Sequence, residues 1–201
     1  MGSYYSAIDL RGYPSSYFSK TALVKPVNAE NYKAVLDSFG KNKTDDILFG
    51  IEIDDESRNA KKIIRRAEGI DIIIFKCRDS KENREALKIK EITFMSNPDN
   101  LDKVCFDLAR ENSIGFELNI QDIFNTQRYR RTKVLETNRE LLKAHRKFLF
   151  PIVLTSGARD ANEIKTPLTL VSFGCIIGMD IREAKGAITT VPEMLINKKI
   201  Y

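Results

Sequence analysis

Seven short apolar runs, rich in β-branched and aromatic residues, recur along this chain and alternate with stretches of helical spacing. The strand-like runs fall at 7–10, 22–25, 47–53, 70–75, 92–95, 114–118 and 152–155. The helical stretches fall between them at 29–39, 57–68, 81–87, 101–112 and 128–147, with 167–177 and 181–189 after the last strand. The gap at 11–21 reads as loop. Such alternation predicts a mostly parallel sheet covered by helices, because parallel neighbours need a crossover long enough to hold one. Several boundaries carry their own chemistry. Asn97-Pro98-Asp99 ends a strand and opens a helix, Thr166-Pro167 reads as an N-cap with proline at the first helical position, and Asp180 with Glu183 reads as a capping box. With no Gly/Ser/Pro-rich linker, repeat or composition break, one α/β domain over 1–201 is expected.

Strand alternation narrows the architecture. Gly50, Glu52 and Asp54 share one face of their strand, as do Gly115, Glu117 and Asn119; Phe49, Ile51, Ile53 and Ile114, Phe116, Leu118 take the other. Apolar outward positions under helices, with small and acidic inward ones, suit a TIM-like barrel of about seven parallel strands. An open doubly wound sheet is the other arrangement that the alternation allows.

Hydrophobic residues at 42% and charged residues at 30% fit a folded soluble chain. The longest apolar runs, 72–75 and 148–154, are far below the roughly 20 residues that span a bilayer. Residues 1–10 lack the basic start and apolar stretch of a secretory leader. The loose myristoylation pattern Met1-Gly2-Ser3-Tyr4-Tyr5-Ser6 has no second anchoring signal beside it, so no membrane partner is expected. Cys77, Cys105 and Cys175 are odd in number and widely spaced, which fits reduced thiols and a cytoplasmic location. The single histidine, His145, excludes a His-rich metal site, and its place beside Leu141 and Leu142 reads as a packed helix residue rather than a base.

The charge is unevenly placed. Residues 128–147 hold eight basic side chains (Arg128, Arg130, Arg131, Lys133, Arg139, Lys143, Arg146, Lys147) and two acids, Glu136 and Glu140. This segment carries +6 of a chain whose net charge is +5, leaving the remainder at −1. On a helix, Arg128, Arg139, Lys143, Arg146 and Lys147 fall within an arc of roughly 100°, opposite Val134, Leu135, Asn138, Leu141, Leu142 and His145. Such a ridge would neutralise phosphates and give salt-dependent nucleic-acid affinity. An ordinary solvated helix face fits the same residues. A second basic group, Lys61, Lys62, Arg65 and Arg66, is nearly cancelled by Asp54, Asp55, Glu56 and Glu68 and reads as a solvated face.

Catalytic groups of a barrel would sit at the C-terminal strand ends. There the chain offers Asp9, Arg11, Glu52, Asp54, Lys76, Arg78, Ser96, Glu117, Asn119 and Ser156. Asp9, Glu52, Asp54 and Glu117 could hold Mg²⁺ as a metal-dependent phosphoesterase; alternatively Glu52 and Glu117 are paired with Lys76 or Arg78. Ser156 lies outside any Gly-x-Ser-x-Gly turn, and no glycine-rich phosphate loop follows a strand. No catalytic set is legible from the residues.

The blocks Gly50-Ile51-Glu52-Ile53, Gly115-Phe116-Glu117-Leu118-Asn119, Thr155-Ser156-Gly157-Ala158-Arg159, Lys165-Thr166-Pro167 and Ile177-Gly178-Met179 resemble, in order and spacing, the archaeal ribonuclease P protein component 3 family. Its eukaryotic counterpart is the thirty-kilodalton subunit of ribonuclease P and MRP. The resemblance implies a seven-stranded barrel related to the polymerase-and-histidinol-phosphatase hydrolases without their metal-binding histidines. The first strand here reads Ile8-Asp9-Leu10-Arg11 where those enzymes carry His-x-His. It also implies a non-catalytic subunit that, with protein component 2 and other ribonuclease P protein subunits, braces the ribonuclease P RNA. That RNA would hold the Mg²⁺ and remove 5′ leaders from precursor tRNA. Onto the matching positions it places RNA contacts at Arg130, Lys147 and Lys165. Together with the ridge, the expected RNA-binding set is Arg128, Arg130, Arg131, Lys143, Arg146, Lys147, Arg159 and Lys165, with no catalytic or metal residue. Leu168 departs from the pattern, standing after Pro167 where relatives carry arginine, and Arg159 is expected to offset it. A protein–protein adaptor with an apolar surface patch is the remaining alternative.

Overall fold

The computed structural model describes residues 6–39 and 44–198, so nearly all of the myristoylation pattern at the start of the chain lies outside the described residues. Strands β1 (Ile8–Asp9), β2 (Lys20–Val27), β3 (Ile47–Ile53), β4 (Ile72–Lys76), β5 (Phe94–Ser96), β6 (Gly115–Asn119) and β7 (Ile152–Thr155) pair in chain order. Every pair is parallel, and the register runs continuously from Ile8 opposite Lys20 to Asn119 opposite Thr155. Helices α1 (Tyr32–Ser38), α2 (Ser57–Ile64), α3 (Ser80–Leu87), α4 (Lys103–Glu111), α5 (Ile120–Phe124) and α6 (Arg128–Phe148) fill the crossovers, and α7 (Pro167–Ile177), α8 (Ile181–Gly186) and α9 (Thr190–Asn197) follow β7. The result is a nearly closed TIM-like barrel, not an open sheet.

The closing seam between β7 and β1 is made without a ladder. The Ile8 N–H donates to the Ile188 carbonyl at 2.8 Å, and the Leu154 N–H donates to the Ala187 carbonyl at 3.1 Å. The α8–α9 corner thus satisfies edge groups of both strands that would otherwise be orphaned. Past the strand ends, the Gly157 N–H reaches the Arg11 carbonyl at 2.9 Å and Asp9 accepts from the Ser156 N–H at 3.2 Å.

Two apolar layers hold the barrel. Inside lie Ile8, Leu10, Ala22, Leu48, Ile72, Ile74, Phe94 and Val153, with Leu195 of α9 plugging the N-terminal end. Gly115 faces that plug: a Cβ there would lie 3.1 Å from Leu195 Cδ1, tighter than ordinary van der Waals contact. Outside, Ile51, Ile53, Phe75, Phe116, Leu118 and Leu154 pack under the helices. Phe106 of α4 lies 5.2 Å from the Phe150 ring and 5.3 Å from Phe148, while Phe116 meets Phe150 edge-on at 5.0 Å. This aromatic stack anchors the end of α6 to the sheet.

Several boundaries differ from the sequence reading. β2 extends to both sides of 22–25, and β5 begins at Phe94 rather than residue 92. α4 begins at Lys103 because the Asp102 side chain accepts from the Cys105 N–H. The short α5 was not expected, and 181–189 is not one helix: α8 stops at Gly186 so that the next two residues can serve the seam. The Thr166 cap, Pro167 at the helix start and the Asp180–Glu183 capping box are all present.

Candidate nucleic-acid interface

Inward alternation brings Glu52 of β3, Ser96 of β5, Glu117 of β6 and Thr155 of β7 to the C-terminal mouth of the barrel. Arg11, just past β1, reaches across it. Its Nη2 donates to Glu52 Oε1 at 2.6 Å, and its Nε stands 3.1 Å from Glu117 Oε1, without hydrogen-bond alignment. Ser96 Oγ also donates to Glu52 at 2.5 Å, and Thr155 Oγ1 donates to Glu117 at 2.6 Å. The sequence reading that paired Glu52 and Glu117 with Lys76 or Arg78 is corrected here. Those two cations lean outward onto the exposed Asp54, at 2.7 and 3.4 Å.

One guanidinium serves several buried acids, and their proton affinities follow. Burial raises Glu117 to about 7 against the pull of Arg11, whose aligned donor goes to Glu52. Burial raises Asp9 to about 6, with hydrogen bonds from Ser156 and the Arg11 N–H opposing it. Burial also raises Asp122. For Glu52, burial pushes upward but Arg11 and Ser96 outweigh it, so its carboxyl is held low. Each acid proposed for a Mg²⁺ site is thus committed elsewhere, and no group of three potential metal ligands exists among the described residues. A divalent ion would have to displace the Arg11 guanidinium, so this donor set does not fit one. Ser156 Oγ accepts from the Ala158 N–H at 3.1 Å and its side chain also bonds the Asp9 carboxyl, while His145 Nδ1 is taken by the Phe150 carbonyl at 2.6 Å. The mouth opens into a cavity of about 930 Å³ lined by the acids Glu52 and Asp122 and by the cations Arg11, Lys25, Lys76 and Arg159.

The cations lie on α6. Asn138, Leu141 and Leu142 bury one face, and all eight basic side chains of 128–147 are exposed on the rest. Three of them are engaged. Arg131 donates to the carbonyls of Ile123 at 3.0 Å and Thr126 at 2.8 Å, stapling α6 to the end of α5. Lys143 pairs with Glu140 at 2.7 Å, and Arg146 with Glu183 at 2.7 Å and the Gly178 carbonyl at 2.8 Å. Arg128, Arg130, Lys133, Arg139 and Lys147 have no carboxylate within 4.0 Å among the described residues. Lys61 and Lys62 of α2 and Arg65 just past its end are exposed, and Arg66 donates to the Tyr32 hydroxyl at 2.9 Å.

A family model described as RNase P subunit p30 matches residues 8–201 of this chain. The chain belongs to the RNase P subunit p30 family. Among its relatives, the ribonuclease P protein component 3 of Methanothermobacter thermautotrophicus is 30% identical over 148 residues, covering 71% of this chain and 59% of that protein. The protein of the same name from Methanococcus maripaludis is 27% identical over 170 residues, 81% of this chain and 67% of its own length. The match to the first relative thus spans less than two thirds of that protein. In three dimensions the chain superposes on one from an archaeal ribonuclease P solved by cryo-EM with mature tRNA. The TM-score is 0.76 at 20% identity, covering 94% of this chain and 90% of the other, which establishes a common fold.

In this p30-family chain the predicted site residues do not form one patch. Arg128, Arg130 and Arg131 open α6 at the mouth side, whereas Arg146 and Lys147 lie about 26 Å away along the axis, at 1.5 Å per residue. Arg159 and Lys165 fall on the mouth side too. Arg159 is exposed and its N–H donates to Glu163 at 2.9 Å; Lys165 Nζ donates to the Glu163 carbonyl at 2.6 Å and sits 5.3 Å from the Phe124 ring. Lys147 lies 5.3 Å from the Phe148 ring. Leu168 is 70% exposed. Sequence reasoning missed the roles of Arg11 and Arg131, since both depend on turns whose reach no periodicity encodes.

Proposed function

We propose that this chain is the RNA-bracing protein subunit of a cytoplasmic ribonuclease P, the RNA-based endonuclease that removes 5′ leaders from precursor tRNA. It acts as one barrel domain without catalysing a step. Its partners are the ribonuclease P RNA, protein component 2 and the other protein subunits, with precursor tRNA as the substrate of the whole. The Mg²⁺ that supports cleavage belongs to the RNA, and this chain carries no cofactor.

One observation carries the reading beyond family membership: Arg128, Arg130, Lys133 and Arg139 are exposed on one helix with no carboxylate partner among the described residues. Cations so placed exchange with the counterions of RNA phosphates and lower the Mg²⁺ needed to hold a folded RNA together. Double-helical RNA would be met by shape and backbone rather than by bases. The mouth supports the non-catalytic part, because Arg11 occupies the space between the two carboxylates that a metal mechanism would need. The test is reconstitution with the catalytic RNA and component 2, following leader removal at low Mg²⁺. The chain should restore cleavage, and a variant with Arg128, Arg130, Lys133 and Arg139 changed to glutamine should not. Equal rescue by that variant, or phosphate-ester turnover by the isolated chain, would overturn the proposal.

A further inference from the structure

The corner between α5 and α6 exposes two aromatic rings among bare cations. Tyr129 is 80% exposed and Phe124 is 55% exposed. Single exposed apolar side chains need no explanation; this pair differs in its surroundings. From 124 to 135 the chain holds Arg128, Arg130, Arg131 and Lys133 and not one acid. Tyr129 stands directly between Arg128 and Arg130, neither of which has a carboxylate partner among the described residues, and the Lys165 ammonium lies 5.3 Å from the Phe124 ring.

The corner is also fixed in place. Arg131 ties α6 to the Ile123 and Thr126 carbonyls, Thr126 Oγ1 donates to the Asp122 carbonyl at 2.8 Å, and the Arg130 N–H donates to Gln127 at 3.2 Å. Arg128 adopts a φ of +49°, a conformation that costs a non-glycine residue energy and persists only where its surroundings impose it. The backbone that carries Tyr129 is therefore ordered before binding, which lowers the cost of using its ring. Both protein and RNA partners use aromatic and arginine side chains at their contacts. Four positive charges with no counter-charge in twelve residues favour the polyanion.

We propose that Tyr129 is a stacking platform for unpaired RNA bases, with Phe124 on the same corner as a second exposed ring, and that Arg128 and Arg130 hold the flanking phosphates. This rests on the RNA-bracing reading above and extends it: the α6 cations meet backbone of any form, and the Tyr129 ring adds a contact that only unpaired bases can make. An aromatic face suits every base, so little sequence preference is expected.

The chain contains no tryptophan, so a Tyr129→Trp variant reports on this position alone. It would be titrated with a 12-nucleotide single-stranded oligoribonucleotide and with the same sequence as a blunt duplex. The single strand should quench its fluorescence saturably, the duplex should not, and adding Arg128→Gln with Arg130→Gln should weaken the titration at least tenfold. In the otherwise unaltered chain, Tyr129→Ala should lower single-strand affinity about tenfold, the loss of one stacked base. Tyr129→Phe should stay within twofold, and duplex affinity should not change. Circular dichroism verifies that the variants fold. An unchanged single-strand affinity in Tyr129→Ala, equal quenching by duplex, or quenching by component 2 but not by the oligonucleotide would each overturn the platform. If duplex affinity and low-Mg²⁺ rescue nevertheless persist in Tyr129→Ala, the RNA-bracing reading survives that failure; if the α6 cations prove irrelevant to both RNA forms, the two fall together.

Discussion

Replacing Glu117 by glutamine tests the electrostatics of the barrel mouth. Glu117 is 2% exposed, and its acid is raised from an ordinary 4.5 to about 7, chiefly by burial. Between those values the folded chain holds a proton that the unfolded chain has lost. Stability contributed by this group is therefore complete below pH 4.5 and is lost as pH rises through about 7. At about 1.4 kcal/mol per pH decade, that interval corresponds to about 3 kcal/mol. Glutamine keeps an acceptor for Thr155 Oγ1 but carries no titrating proton. Asp9, raised to about 6, shifts stability in the same sense, but it does so in both chains and cancels in their difference. Urea unfolding of wild type and Glu117→Gln at intervals from pH 4.5 to 8 should therefore show the variant gaining on wild type by about 3 kcal/mol toward high pH. The opposite trend, with the variant falling further behind as pH rises, would mean that Glu117 is ionised in the fold and that Arg11 outweighs burial.

Leu195→Ala should cost about 3 kcal/mol in denaturant unfolding, since it empties the plug of a close-packed interior; a loss below about 1 kcal/mol would place α9 outside the core. Gly157 has a φ of +64°, and a Cβ there would lie 2.3 Å from Asn119 Oδ1, which caps α5. Gly157→Ala should thus destabilise by about 2 kcal/mol or more and lower the thermal midpoint, and an unchanged midpoint would contradict the described turn. Arg131→Ala should cost about 1 kcal/mol through its lost hydrogen bonds while leaving the salt dependence of RNA binding unaltered. A shallower salt slope would mean that Arg131 serves RNA rather than the corner.

The barrel was legible because its signal is local. Ile51 and Ile53 against Glu52, and Phe116 and Leu118 against Glu117, alternate with the two-residue period of a strand, and each run is separated by a helix-length crossover. What escaped depends on tertiary reach. Ala187 and Ile188 carry helical-looking residues, yet they leave the helix to satisfy β7 and β1, which only a closed barrel requires. Five-residue α5 is too short to show a period. Arg11 was visible as a strand-end residue, but its choice of Glu52 and Glu117 over the outward Asp54 is decided by the path of the loop after β1. The ridge of α6 was read correctly as a helix with one apolar face. Which of its cations are engaged depends on neighbours that no helical period shows: Arg131 bonds the Thr126 carbonyl, and Lys143 and Arg146 pair with Glu140 and Glu183. Tyr129 carried no signal in a search for charge alone.

The most direct test of the α6 surface is the salt dependence of duplex RNA binding by the isolated chain. Changing Arg128, Arg130, Lys133 and Arg139 to glutamine should make the slope of log affinity against log salt shallower by about 3.6, about 0.9 for each phosphate contact removed. A slope that moves by less than about 1, with the variant still folded, would show that these cations face water rather than RNA.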